Sequence, residues 1–232
     1  MYLSVIIPVF NEVNTIDKII TKVLESNCNF KEIIIVDDYS TDGTREILKK
    51  YENNNLFIVL FHKKNMGKGA CIITATKYLS GDYMIIQDAD LEYDPNDYWK
   101  FFNMLKNKHC DVIYGSRVLG DNYKDLNFSR RFRIFANFIL TMMSNIINRQ
   151  SITDAHTCYK FINVELFKKL KLSTYDFSIC VEITTKLSKL GIKINEVPIS
   201  YSGRTFSEGK KIKFKDAIYA FYTLIKFRYL NK

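Results

Sequence analysis

Long hydrophobic runs are missing from this chain of 232 residues. The nearest to one is residues 134–147, IFANFILTMMSNII. It is shorter than the roughly 20 apolar residues a spanning helix needs, and Asn137 and Asn145 interrupt it. Membrane contact, if it occurs, is expected to be peripheral. The start, MYLSVIIPVFNE, has no basic n-region and no cleavage site, so no signal peptide is expected. Cysteine pairs are missing as well. Cys28, Cys71, Cys110, Cys158 and Cys180 are odd in number, scattered and never in a CxxC. That argues against a disulfide framework and a cysteine zinc site, and for reduced thiols in a cytoplasmic setting. His62, His109 and His156 show no HxxxH or HExxH spacing, which removes a histidine zinc centre. His156, within DAHTC, reads as structural. No GxxxxGK[ST] P-loop, GxGxxG fingerprint or GxSxG elbow is present. A nicotinamide oxidoreductase and a serine hydrolase are thereby disfavoured.

What is there is an ordinary globular composition, 47% hydrophobic and 25% charged. It supports a sizeable core and excludes wholesale disorder. The first half alternates strand-like and helix-like stretches. Strands are expected at Val5–Phe10, Ile33–Val36, Leu56–Phe61, Tyr83–Gln87 and Val112–Tyr114. Helices are expected where Ile16, Ile19, Ile20, Val23 and Leu24 recur with helical spacing, and at Arg45–Glu52, Ala70–Leu79 and Asp97–Leu105. This order implies a parallel, doubly wound α/β sheet with right-handed crossovers. The second half is less regular. Phe132–Ile147 and Val181–Leu190 read as helices and Ile192–Ile199 as a strand, while Thr153–Phe161 reads as strand or loop. A basic amphipathic helix closes the chain. With no repeat and no linker, residues 1–211 and the helix at 212–232 form one compact unit.

The polar chemistry follows the strands. Asn11 and Glu12 come after the first, Asp37 and Asp38 after the second, and KKNMGKGA after the third. DADLE comes after the fourth and GSR after the fifth. In such sheets ligands bind at the carboxyl ends of the strands, so these groups share one edge. Asp88 and Asp90 stand two apart at a strand end, with Glu92 two further on. In extended geometry side chains two apart project the same way. Oxygen ligands in that arrangement suit Mg2+ or Mn2+ shared with substrate phosphates, the bland alternative being a solvated turn. Asp94 with Pro95 reads as the start of the next helix. NMGKGA is a glycine-bearing turn opening a helix, whose amides can meet an anion. Asp37 and Asp38 can accept from a ribose or a base edge. Arg117, Arg130, Arg131, Arg204, Lys210 and Lys211 are the candidate phosphate-binding cations.

Charge of one sign is concentrated late. The formal net charge is +9, and residues 201–232 hold eight Lys or Arg against two acids, +6 of that total. Phe206, Phe214, Tyr219, Phe221, Tyr222, Phe227 and Tyr229 interleave with these charges. A basic, aromatic, amphipathic segment points to an anionic surface, against the alternative of a solvated tail.

SVIIPVFNE, IIIVDDYSTDGT, NMGKGA, DADLEYDP, YGSR, TCYKF and EVPISYSGRTFSEGKKI occur in this order over nearly the whole chain. The set resembles the family 2 glycosyltransferases of the GT-A fold, and within them the dolichyl-phosphate mannose synthases and bacterial polyprenyl-phosphate glycosyltransferases. The resemblance implies a Rossmann-like, mostly parallel sheet flanked by helices. It implies that Pro8, Phe10, Asn11, Glu12 and Asp38 bind the nucleoside of a nucleotide-sugar, with Lys68 and Gly69 nearby. It gives Asp88, Asp90 and Glu92 to a divalent metal, Mg2+ or Mn2+, on the diphosphate. Glu92 stands where the archaeal mannose synthases have Gln, which leaves the donor sugar open. Arg117, Arg131 and Arg204 fall where phosphates of donor or lipid acceptor are held, and Lys210 adds a further substrate-binding cation. Asp90, Arg117 and Arg204 are the residues expected to carry catalysis.

The implied reaction is transfer of a sugar, with inversion, from GDP-mannose or a UDP-hexose to a polyprenyl phosphate. A phosphate monoester is largely dianionic at neutral pH, its second pKa being about 6, so no general base is required. A hydroxyl acceptor would need one, and Glu182 and Asp154 are the bases in reserve. The alternatives are a glycosyltransferase acting on a glycan or protein hydroxyl and a non-catalytic nucleotide-sugar binding module. The expected partners are a nucleotide-sugar, a polyprenyl phosphate and the cytoplasmic face of a membrane, with an integral-membrane protein as a possible further one and no nucleic acid. Family members often carry C-terminal membrane spans, and none is read here.

Overall fold

The computed structural model describes residues 1–26, 28–120, 128–204 and 214–230, with side chains from residue 137 in the third stretch and from residue 219 in the last. The described strands form one sheet: β1 (Leu3–Val9), β2 (Phe30–Asp37), β3 (Phe57–Phe61), β4 (Tyr83–Ile86), β5 (Val112–Ser116), β6 (Lys160–Asn163) and β7 (Asn195–Pro198). Their spatial order is β3-β2-β1-β4-β6-β5-β7. The helices are α1 (Ile16–Glu25), α2 (Thr44–Leu48), α3 (Lys68–Thr76), α4 (Tyr98–Asn107), α5 (Phe128–Asn148), α6 (Val164–Lys169), α7 (Ile179–Lys189) and α8 (Phe214–Ile225).

The central strands are unbroken apolar runs because both faces are covered. Alternate residues point to opposite faces. Val5, Ile7, Ile33, Ile35 and Ile85 meet Ile16, Ile19, Ile20 and Val23 of α1 and Phe101 of α4. Ile6, Ile34, Val36, Met84 and Ile86 meet Cys71, Ile72 and Ala75 of α3 and Ile179, Ile183 and Leu187 of α7.

The five strands expected in the first half run parallel to one another, as expected, and the sheet is mostly parallel. β6, which the sequence left as strand or loop, runs antiparallel to both β4 and β5. The chain returns from α5 along the carboxyl edge through residues 149–159, and so enters β6 against its neighbours' direction. The stretch expected as a helix over Arg45–Glu52 is α2 followed by a 3-10 turn at Lys49–Tyr51. The asparagines after it are poor helix formers.

β1 is the switch point of the topology. The chain passes from β1 to β2 and β3 on one side, then crosses to β4 on the other. β1 pairs with β4 only as far as Ile6 with Ile86, while its pairing with β2 continues to Val9 with Asp37. Pro8, which has no N–H to give a ladder, lies just past the point where β4 leaves. The strands part there, which opens the crevice where ligands bind in sheets of this kind.

Over its described side chains, from Asn137 on, α5 is amphipathic in an inverted sense. Thr141, Ser144 and Asn148 are buried. Asn145 bonds the Ile152 carbonyl at 2.7 Å, and Asn148 bonds Thr185 at 3.2 Å. Phe138, Met142 and Ile146 face solvent, Ile146 at 71%. α8 packs Ala220 and Leu224 on Val181, with Met143 and Ile147 of α5 beside them. It exposes Tyr219, Phe221 and Tyr222. Among the described residues no helix is long and apolar enough to cross a membrane.

Candidate active site

The loops after β1 and β4 meet at the switch point, and Arg204 arrives between them from the far end of the chain. Its guanidinium holds Glu12 through two bonds of 3.1 Å, Nη1 to Oε2 and Nη2 to Oε1. Nη2 also donates to Asp90 Oδ2 at 3.0 Å. The Arg204 backbone N–H donates to Glu92 Oε1 at 2.7 Å, and Tyr201 Oη donates to Glu92 Oε2 at 2.6 Å. The Nε–H of Arg204 is buried with no hydrogen-bond partner among the described residues, 3.9 Å from Glu92 Oε1. Burial raises the Asp90 carboxyl first, and the charges of Asp88 and Glu92 raise it further, to about 7, against the opposing pull of Arg204. One guanidinium does not neutralise this much negative charge.

The turn before α3 supplies the second cluster. Asp38 accepts the backbone N–H of Met66 at 2.9 Å and of Gly67 at 2.7 Å, and its Oδ1 lies 2.8 Å from His62 Nδ1. His62 Nε2 in turn lies 3.0 Å from Thr74 Oγ1. Gly67 takes a φ of +97°, in the left-handed half of backbone space. Lys68 next to it turns its ammonium onto the Asp88 carboxylate, with Cys158 Sγ at 3.0 Å. Burial alone would lower the Lys68 pKa, but the Asp88 charge outweighs it and holds the ammonium charged. Lys68, expected near the nucleoside, follows the turn that binds Asp38 and sets its ammonium on the first acid of the DxD.

Asn11, with φ +51°, bonds the second loop, accepting the Thr41 amide at 2.8 Å while its own amide donates to Ser40 Oγ at 2.8 Å. Pro8 lies within β1 and half-buried Phe10 just past its end. Gly69 is buried in the first turn of α3. Asp37 accepts from Tyr39 and Ser40 amides and pairs with Arg45 at 2.6 Å, so it braces the loop that follows β2. Asp94 caps the 3-10 turn at Pro95–Asp97 through the Asn96 amide, which takes it out of the acidic cluster.

Arg117 leaves β5 and closes on Asp154, Nε to Oδ2 at 2.6 Å and Nη2 to Oδ1 at 2.9 Å. Its guanidinium lies 5.1 Å from the centre of the Tyr201 ring, which links this pair to the Glu92 cluster. Burial would raise the Asp154 carboxyl, but the Arg117 charge and hydrogen bonds bring it down to about 2. Neither reserve base is open. Asp154 is fully buried on Arg117 and Asn137, and Glu182 is fully buried against the Ser173 and Thr174 amides. Arg131, Lys210 and Lys211 lie outside the described side chains. Two residues that the sequence did not single out join the site: Tyr201, on Glu92, and His62, on Asp38. Tyr201 stands in the same PISYSGR run as Arg204, which is the signal that could have found it.

Asp88, Asp90 and Glu92 offer only oxygen donors, the set a hard divalent cation takes. Burial first, and the neighbouring charges of Asp88 and Glu92 after it, disfavour a charged Asp90, and a cation held by the three carboxylates would offset that cost. Asp38, His62 and Cys71 also lie within 4.8 Å of one another. Asp38 and His62 are already joined in a hydrogen-bonded chain to Thr74, so this trio reads as support for Asp38.

The family model described as Glycosyl transferase family 2 matches residues 4–171. The chain belongs to that family. Among family relatives, a dolichyl-phosphate beta-glucosyltransferase of Trichomonas vaginalis is 27% identical over 97% of this chain and 72% of its own length. A dolichol-phosphate mannosyltransferase of Pyrococcus furiosus is 29% identical over 90% of this chain and 59% of its own length. The chain thus spans well under the full length of both. Glucosyl-3-phosphoglycerate synthase from Mycobacterium tuberculosis, solved with Mn2+, UDP and glucosyl-3-phosphoglycerate, superposes with a TM-score of 0.73. At 16% identity over 98% of this chain and 80% of that one, the likeness is one of fold. The mixed sheet with helices on both faces is the GT-A fold expected from the sequence.

Proposed function

We propose that this protein transfers a sugar from a nucleotide-sugar to the phosphate of a polyprenyl phosphate, with inversion at the anomeric carbon. The observation that carries the choice of acceptor is the state of the two candidate bases. Asp154 is closed on Arg117 and Glu182 is spent on a loop, so neither has a free oxygen for a hydroxyl proton. A phosphate acceptor is already dianionic near neutral pH and needs no proton removed. The relatives named for dolichyl-phosphate sugar transfer support this reading.

In this reading Asp38, Asn11 and the 65–69 turn hold the nucleoside, with Pro8, Phe10 and Gly69 shaping its berth. Asp88, Asp90 and Glu92 hold Mg2+ or Mn2+. A divalent cation bound there supplies Lewis-acid stabilisation of the departing diphosphate. Lys68 and Arg204 place fixed positive charge at the same position, where charge builds as the glycosidic bond breaks. The reading assigns Arg117, together with Arg131 and Lys210, whose side chains are not described, to the acceptor phosphate. The inverted α5 and the aromatic face of α8 suit the interface of a bilayer in which the acceptor is dissolved, with the +6 tail toward anionic headgroups. In this reading the protein works at the cytoplasmic face of a membrane.

The test offers radiolabelled GDP-mannose, UDP-glucose and UDP-N-acetylglucosamine with Mn2+ to the protein on vesicles holding a polyprenyl phosphate. A soluble glycan acceptor is assayed in parallel. Label should enter a lipid-extractable, acid-labile product from one donor. Label in the glycan alone would overturn the acceptor, and the same labelling without Mn2+ would overturn the metal.

A further inference from the structure

Glu182 lies in α7 with none of its surface exposed, and the mechanism above gives it no chemistry. Its carboxylate nevertheless accepts from the Ser173 amide at 2.9 Å, the Ser173 hydroxyl at 3.1 Å and the Thr174 amide at 2.8 Å. Lys186, one turn on, closes it at 2.6 Å. The loop so held presses on the glycine turn ahead of α3. A Cβ on Gly67 would collide with the Tyr175 carbonyl, and one on Gly69 with the Thr174 carbonyl. The Ala70 amide donates to Tyr175 O at 3.2 Å, and the Phe177 ring lies 6.0 Å from the Lys68 ammonium. On its other side the same turn gives the Met66 and Gly67 amides to Asp38 and the Lys68 ammonium to Asp88.

We infer that Glu182 is a positioning residue: through the 173–177 loop it clamps the Gly67-Lys68-Gly69 turn and so fixes the groups that meet the nucleotide diphosphate. A carboxylate suits the task because every group aimed at it is a donor, and charged acceptors make the stronger bonds. An amide of the same shape would turn its NH2 toward the Ser173 or Thr174 N–H, donor against donor. The clamp itself is a matter of contacts; its effect on nucleotide rests on the function proposed above.

The test pairs two measurements on the full chain. Hydrogen exchange of peptides covering residues 64–72 reads the clamp, and titration with UDP or GDP in the presence of Mn2+ reads its consequence. Glu182→Gln should speed exchange over 64–72 and weaken nucleotide binding by about tenfold, the scale seen when groups that orient ligand-contacting residues are removed. Gly69→Ala, which pushes on the loop from the other side, should do the same. The double variant should be little worse than either single one, because both act through one loop. Glu182→Asp should recover part of the loss. A Glu182→Gln protein that melts earlier but keeps wild-type exchange over 64–72 and nucleotide affinity within about twofold would show a purely structural residue and overturn the inference. If Glu182→Gln does not fold, Ser173→Ala removes one donor and keeps the backbone: faster exchange over 64–72 supports the clamp, unchanged exchange overturns it. A wild-type protein that binds neither nucleotide overturns the proposed function, and the exchange result still decides the clamp.

Discussion

Single residues in this site do opposed work for stability and for function. Asp90 is held at about 7 by burial and by its acidic neighbours, so its charge is a cost to the fold. Asp90→Asn removes that repulsion and leaves Arg204 its bidentate bond to Glu12. The variant should melt at or above the wild-type temperature while Mn2+-dependent nucleotide binding falls by at least tenfold, read by calorimetric titration. Asp154 is the contrary case. Its folded pKa, about 2, lies below the unfolded value of about 3.9. Its contribution is therefore complete above pH 4 and is lost as pH falls through 2. The amount is about 2 to 3 kcal/mol. Asp154→Asn should flatten the acid limb of a denaturant-measured stability profile between pH 4 and 2. At neutral pH it should cost about 3 kcal/mol, because Arg117 is left buried without its partner. An unchanged acid limb would mean that Arg117 does not hold Asp154 in solution.

At the scale of elements, α5 shows how surface chemistry and packing can be told apart. It binds the body through Thr141, Asn145 and Asn148 and turns Phe138, Met142 and Ile146 outward. Replacing those three by Gln keeps helix propensity and removes only exposed apolar groups. Stability should change by less than about 0.5 kcal/mol per substitution. Flotation with vesicles should fall several-fold, and a variant that floats like wild type would remove α5 from the membrane-facing surface. The same helix marks where sequence reading stops. Runs such as Ile33–Val36 declare a strand buried on both faces, because burial and β-branching coincide there. The period of α5 declares a helix but not which face is buried, because its buried face is the polar one. β6 is short, and its buried Lys160 breaks the apolar pattern, so its direction was not legible in Thr153–Phe161. In the site, the acids after β4 were legible from their spacing. The Arg204 contacts to Glu12 and Asp90 join residues 192 and 114 apart, and no local pattern carries such a pairing.

For the whole molecule the membrane contact proposed above would have to be made by its surface, because no described helix is long and apolar enough to cross a bilayer. Two contributions are available and they respond differently to salt. The exposed apolar groups of α5 and α8 would bury hydrophobic area on a bilayer, an attraction salt does not screen. The late excess of positive charge adds attraction to anionic lipid of up to about 1 kcal/mol for each Lys or Arg near the surface. That attraction reaches about 10 Å at 0.1 M salt and about 3 Å at 1 M. Partition onto vesicles rich in anionic lipid should therefore fall steeply between these salt concentrations, then level off at a residue equal to the partition onto neutral vesicles. The α5 substitutions should lower that salt-insensitive remainder to the share of α8 and leave the salt-sensitive part in place. Equal partition onto anionic and neutral vesicles at 0.1 M salt would show that the basic end does not meet the bilayer, and would leave its charge to the phosphates of donor and acceptor alone.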